Sequence, residues 1–394
     1  MRLSVSQEQR AAGTYRTLRL SETTDGRTIE AYFDLVGETF PEPFALDGFV
    51  NAVIFHAMGS SQDIQVDGRM TRSGLLNLTA FQEAWCRWKP AVYKPVRIEP
   101  LSIIDDPPRA KASSIAAFSG GADAIFTALR HANDRFALNS VMLVHGFDVP
   151  PDRADQFSKL LERARPLLDR LNLRPRVVRT NIAALRIQNW HDSFLAQLSC
   201  CLHNYSHEFR FGLTGSGEPY DALVLPWGSN PCTDYLLSGD GFSIVHDGAG
   251  FSRTEKIALI AKDPVATRVV KVCWEADDLS TNCGTCEKCV RTRLNFKAVG
   301  VDSPSCFAGE LTPEQIRLVR FGDDTQRAGF RSILAYAESH ALQGDWLDAM
   351  RECLRYDEKG MLGRAFDHLA HGDFRLLSKK IRRKLTQPRK AQAR

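Results

Sequence analysis

Between residues 112 and 214 short apolar runs alternate with longer amphipathic ones, and this rhythm is the strongest signal in the chain. Residues 114–118, 140–144, 176–179 and 209–214 are brief runs with strand character, while 122–131, 154–171 and 194–203 space their apolar residues as helices do. Pro166 predicts a kink in the second of these helices. Strands alternating with helices imply right-handed βαβ units and a parallel sheet covered on both faces. The expected fold class is therefore α/β with a doubly wound parallel sheet, its ligands held beyond the carboxyl ends of the strands.

The flanks differ in texture. Residues 1–104 read as a separate N-terminal α+β unit, with strands at 29–36 and 50–56, a helix at 75–88 and a returning strand at 93–98. Asp105, Asp106, Pro107 and Pro108 make a linker, because proline lacks a donor and disfavours helix in the residue before it. The span 112–300 holds the alternating unit, and 303–378 reads as a helical C-terminal region with helices at 313–321, 327–341 and 346–356. In the tail, 379–394, 8 of 16 residues are Lys or Arg and none is acidic. With no aromatic residue to stack on bases, it reads as a solvated extension, a nucleic-acid arm being the less favoured alternative.

Composition narrows the class without naming a function. At 394 residues the chain exceeds one typical core, and 43% hydrophobic with 25% charged residues is ordinary for a globular protein. The net charge of +4 does not by itself call for nucleic acid. No apolar run approaches the roughly 18 residues of a membrane span, and residues 1–16 are too polar for a signal peptide. No membrane partner and a cytoplasmic location are the expectation. Ten cysteines, four of them clustered at ligand spacing, fit a reducing compartment.

Two motifs carry chemistry. Ser119, Gly120, Gly121, Ala122 and Asp123 lie between the first strand and first helix of the alternating unit. Paired glycines let the backbone turn tightly and approach an anion, and the following helix directs free N–H groups and its dipole toward it. Asp123 is a candidate ligand for Mg²⁺, and a plain strand-to-helix turn is the alternative reading. The second motif is Cys283-x-x-Cys286-x-x-Cys289 with Cys273 upstream, within 273–289. Four thiolates in this spacing suit a structural Zn²⁺ site, the alternative being an iron–sulfur cluster.

The loop resembles the pyrophosphate loop of the adenine-nucleotide alpha-hydrolase superfamily, Ser-Gly-Gly-x-Asp-Ser, departing from it where Ala124 replaces the last hydroxyl. The resemblance implies ATP cleaved between its α and β phosphates to AMP and pyrophosphate, with the adenylyl group activating a carbonyl or carboxylate oxygen. Val272-Cys273-Trp274, Asn282, the three further cysteines, Arg291 and Phe296 look like the zinc segment of the 7-cyano-7-deazaguanine synthases of that superfamily. The tracts His145–Asp148, Pro226–Ser229 and 246–248 with Arg253, Glu255 and Lys256 look like those of uncharacterised bacterial phosphate-loop proteins.

What this implies is a ligase-like N-type ATP pyrophosphatase. It uses ATP, Mg²⁺ and Zn²⁺ on a small-molecule substrate with a carboxylate or amide-like oxygen, attacked in turn by a nitrogen nucleophile. Ser119, Gly120, Gly121, Asp123, Gly215 and Ser216 are the expected nucleotide-binding residues. Asp123, Arg253 and Lys256 are the expected catalytic residues, with a solvated ion-paired stretch as the alternative for the two cations. A sulfur-inserting, tRNA-type enzyme of the same superfamily would need a reactive cysteine, for which Cys232 is the candidate. A nucleotide-binding module without turnover is the third reading. His191 is weighed as a general base against a helix-cap role, and Cys200 and Cys201 as core thiols.

Overall fold

The computed structural model describes residues 1–22, 26–108, 113–132 and 136–358. The basic segment 379–394 and the end of the helical region, 359–378, lie outside these residues. The first three strands, β1 (Arg2–Arg10), β2 (Gly13–Ser21) and β3 (Thr28–Val36), form an antiparallel meander. Then follow α1 (Asp47–Ser60), β4 (Ile64–Thr71), α2 (Arg72–Trp88) and β5 (Ile98–Ile104). Residues 50–56 are the middle of α1 and not a strand. Phe49, Val50, Ala52, Val53, Ile54 and Phe55 are all buried, and a helix buried all round shows an apolar run without a stripe. The strand expected at 93–98 begins at Ile98, after Pro95, which has no N–H for a ladder.

The alternating region matches its expected rhythm element by element. It runs β6 (Ser114–Ala117), α3 (Ala122–His131), β7 (Leu138–His145), α4 (Ala154–Arg170), β8 (Arg174–Thr180), α5 (Trp190–His203) and β9 (Phe211–Gly215). Pro166 lies inside α4. A further strand, β10 (Ser243–Asp247), follows before α6 (Arg253–Ala261) and α7 (Pro264–Val269). Four helices complete the described chain: α8 (Glu287–Ala298), α9 (Pro313–Arg317), α10 (Asp324–Ser339) and α11 (Asp345–Glu358).

The ten strands among the described residues form one mostly parallel sheet, in the order β10-β9-β6-β7-β8-β3-β2-β1-β4-β5. Residues 1–104 are therefore not separate, because β3 pairs antiparallel with β8 from Phe33–Thr180 to Val36–Val177. Buried polar bonds reinforce the join. Arg16 Nη1 donates to Asn204 Oδ1 at 2.8 Å and Asn51 Nδ2 to the Leu237 carbonyl at 2.9 Å. The Thr71 N–H and hydroxyl donate to Asp47, and the Asp240 N–H donates back to Thr71 Oγ1 at 3.3 Å. One apolar cluster lies on the α1 and α5 face of the sheet and a second on the α3 and α4 face. A third joins α8 to the helices after it, around Leu294, Phe330 and Met350. No described helix is long and apolar enough to cross a membrane.

Candidate functional site

From β6 the sheet grows outward through β7 and β8, and the chain then returns along α5 to place β9 on the other side of β6. At such a reversal the loops beyond neighbouring strands lead to opposite faces and leave a crevice. The glycine loop lies there. Gly120 has φ +75°, a left-handed backbone that glycine adopts without steric cost. Gly121 caps α3 with extended backbone and donates its N–H to Ser119 Oγ at 3.2 Å. Gly215 faces this first turn so closely that a Cβ on it would lie 2.8 Å from the Asp123 carbonyl carbon. A cavity of about 450 Å³ opens at this point, lined by Ser119 to Ala124, the ends of β7 and β9, and the cysteine-bearing segment.

The three residues expected to be catalytic meet here, as a closed set. Asp123 accepts from Arg253 Nη2 at 2.6 Å and from Lys256 Nζ at 3.3 Å. Lys256 Nζ also donates to the Ser216 carbonyl at 2.6 Å. Burial pushes the Asp123 carboxyl up, but Arg253 and Lys256 together hold it below the usual carboxylate range. Burial likewise draws the Lys256 ammonium down against the pull of Asp123. Arg253 and Asp123 line the cavity, whereas Lys256 is 1% exposed and lies behind its wall. Ser216 is also fully buried, its hydroxyl donating to the Glu218 carbonyl at 2.6 Å. These two residues brace the site from behind, while Ser119, Gly120, Gly121 and Gly215 form its surface.

Two lysines that the sequence reading passed over complete the electrostatics. Lys271 is 5% exposed and lines the cavity, its N–H donating to the Gly120 carbonyl at 2.8 Å. Lys288 lies over the Trp274 ring, 4.5 Å from its centroid, and burial lowers its ammonium pKa. Neither ammonium has a hydrogen-bond or ion-pair partner among the described residues. The signal for them was positional. Lys271 stands two residues before Cys273 and Lys288 between Cys286 and Cys289, so geometry at the cysteines sets where both lie.

The four cysteines converge, with every Sγ within 4.8 Å of the others. Cys273 and Cys286 are 3.8 Å apart, Cys283 and Cys289 3.9 Å. Sulfurs about 2.3 Å from a tetrahedral zinc lie about 3.8 Å from one another, so the set is compatible with a single zinc ion. A multi-iron cluster would hold its thiolates farther apart. Backbone amides support thiolate charge: Glu275 N–H donates to Cys273 Sγ and Cys286 N–H to Cys283 Sγ, each at 3.3 Å. Hydrogen bonding from Cys289 lowers the Cys286 thiol below the usual thiol range. Asn282 ties the segment together, accepting from the Val272 and Cys273 amides and donating to the Val270 and Cys306 carbonyls. Cys286 caps α8, so a metal here fixes the turn that carries Lys288 and Arg291 into the cavity.

Other singled-out residues separate cleanly. Asp234 accepts from Ser229 Oγ at 2.8 Å and pairs with His246 Nδ1 at 2.6 Å. Asp247 is buried and paired with His131 and Arg130. Exposed His191 lies on the cavity wall. Cys200 and Cys201 are buried in the core, and Cys232 is exposed but does not line the cavity. Compared with known proteins, the chain matches no protein-family model, no curated protein and no solved structure, so this geometry and the motif resemblance are what bear on its function.

Proposed function

We propose that the chain is an adenylating enzyme that takes ATP with Mg²⁺ and releases pyrophosphate. In the reaction envisaged, a carboxylate or carbonyl oxygen of the acceptor forms a bond to the α-phosphorus as the α–β bridging bond breaks. That electron pair leaves on pyrophosphate. A nitrogen nucleophile then attacks the activated carbon and expels AMP. The observation that carries this reading is the pair of ammonium groups, Lys271 and Lys288, without hydrogen-bond or ion-pair partners among the described residues, in a cavity that also holds the glycine loop and the start of α3. Cations and a helix N-terminus together stabilise the charge that builds on a leaving pyrophosphate.

Asp123 is already matched by Arg253 and Lys256, so Mg²⁺ would enter on the triphosphate. Besides Asp123, the cavity is lined by Asp148, Glu218 and Asp323, none with an ion-pair partner among the described residues; Asp148 is the exposed one, on the rim, and would meet the ion. The four-cysteine group would hold Zn²⁺ as a structural ion, since four protein ligands leave no position for substrate.

The test is calorimetric titration with α,β-methylene-ATP. Gly121→Asp, which fills the phosphate space and adds negative charge, should abolish binding. Unchanged affinity would reduce the loop to a turn.

A further inference from the structure

One helix grips the backbone that carries Lys271. On its apolar side α4 buries Phe157, Ala164, Leu167 and Leu168 in the cluster under the sheet. Gln156, Lys159, Arg163 and Arg170 follow one another at steps of three, four and seven, which makes them a polar stripe on the same helix. The whole stripe meets residues 263–280. Gln156 Oε1 accepts from the Leu279 N–H at 3.0 Å, Lys159 pairs with Asp278 at 3.1 Å, and Arg170 Nη1 donates to Asp263 at 2.8 Å.

Arg163 makes the most contacts of the four. Its Nε donates to the Arg268 carbonyl at 2.9 Å, Nη2 to the Val270 carbonyl at 3.1 Å and Nη1 to the Ser280 carbonyl at 3.2 Å. Three acceptors on two stretches of backbone suit the rigid fork of a guanidinium, whereas an ammonium is a single point charge. Asn282 Nδ2 answers from the zinc segment, donating to the same Val270 carbonyl at 2.9 Å. The other end of that peptide is held as well, because the Lys271 N–H donates to the Gly120 carbonyl at 2.8 Å. A Cβ on Gly120 would lie 3.7 Å from the Val269 carbonyl oxygen and 3.8 Å from Lys271 Cβ, so this run lies directly against the glycine loop.

A peptide unit is planar and turns only about the bonds at its two ends. Fixing both the C=O and the N–H of the unit between Val270 and Lys271 therefore fixes the direction in which the Lys271 side chain leaves the backbone. Resting on the nucleotide reading above, we infer that Arg163 is a positioning residue for the phosphate site, setting through this one peptide the aim of the Lys271 ammonium. A lysine held on a fixed backbone meets its anion without first losing the freedom of a mobile loop, and that saving appears as affinity.

The purified full chain is assayed for zinc and titrated calorimetrically with α,β-methylene-ATP. Arg163→Lys keeps the charge and loses the fork, and Arg163→Met keeps only the stem. Each should weaken the analogue about tenfold while holding the same zinc as the parent chain. Lys271→Ala should weaken it about as much. Adding Arg163→Met to Lys271→Ala should then cost no more than about twofold further, because a residue that acts through Lys271 has nothing left to position. Parental affinity in both Arg163 variants overturns the inference, and so do losses that multiply in the double variant. Arg163→Lys binding like the parent while Arg163→Met is weakened also overturns it, since Arg163 lines the cavity and its charge would then be the contact. Loss of zinc in both Arg163 variants would make the residue a support for the cysteines instead. Failure of the nucleotide reading appears elsewhere, as unchanged analogue affinity in Gly121→Asp.

Discussion

Asp123, Arg253 and Lys256 satisfy one another, whereas Lys271 and Lys288 in the same cavity have no hydrogen-bond or ion-pair partner among the described residues, Lys288 meeting only the Trp274 ring and the more distant charge of Asp148. The contrast separates structure from binding within one site. A buried charge that already has its counter-ion holds the protein together. One without a counter-ion costs desolvation until a ligand supplies the opposite charge. The four cysteines are the extreme case, because thiolates within 4.8 Å of one another need a metal to coexist.

That contrast can be broken at each set in turn. Metal removal should have the largest effect. Structural zinc contributes on the order of 10 kcal/mol in small sites, so chelation or Cys286→Ser should unfold the segment around α8 and lower the melting temperature sharply. Metal analysis of the untreated protein should find one zinc per chain, and iron with equimolar sulfide would contradict the mononuclear geometry. Next comes Asp123→Ala, which strands Lys256 as an uncompensated buried charge and should cost about 3–5 kcal/mol in denaturant unfolding. A loss below ~1 kcal/mol would mean the set is not closed in solution.

Lys288→Ala should do the reverse, leaving the melting temperature unchanged while weakening the ATP analogue roughly tenfold to a hundredfold, the worth of a charged hydrogen bond. A stability loss with no change in affinity would move Lys288 to the structural class.

The smallest effect is expected at a carboxyl distant from the cavity. Burial, with Asp47 and Asp106 nearby, raises Asp240 to about 7 against the hydrogen bond from Ser206. Its unfolded value is near 4. Between these values the folded chain keeps a proton that the unfolded chain has lost, so stability falls as pH rises from about 4 to about 7 and then levels. Asp240 has φ +55°, which asparagine tolerates. Asp240→Asn should therefore stabilise the protein by on the order of 1 kcal/mol at pH 8 and not at pH 4. Thermal melts at the two pH values check the sign.

How much of this was legible in the chain depended on whether the signal was local. The β6 to β9 rhythm was, because each element announces itself by its own period, as α3 does over Ala122–His131. The glycine loop and cysteine spacing were equally local. The α1 helix was not, since burial on every side erases its stripe, and β1, β2 and β10 offered alternation too weak to separate from loops. Nothing local could tell that β3 pairs with β8, nor that Lys256 would lie behind the wall and Lys288 on it. Those facts depend on segments distant in sequence arriving together.

The pairing of β3 also has a consequence in time. The Tyr32 N–H waits for the side chain of Asn181, 149 positions further along. At roughly 5–20 residues per second on the ribosome, the meander emerges about 7–30 seconds before its neighbour in the sheet exists. Through that interval the outer rim of β3 carries unmatched peptide groups, the kind of surface that recruits a second nascent chain. Yield in the cell should therefore respond to elongation speed across residues 37–180, and to chaperone supply, more than to any change in the finished protein's stability.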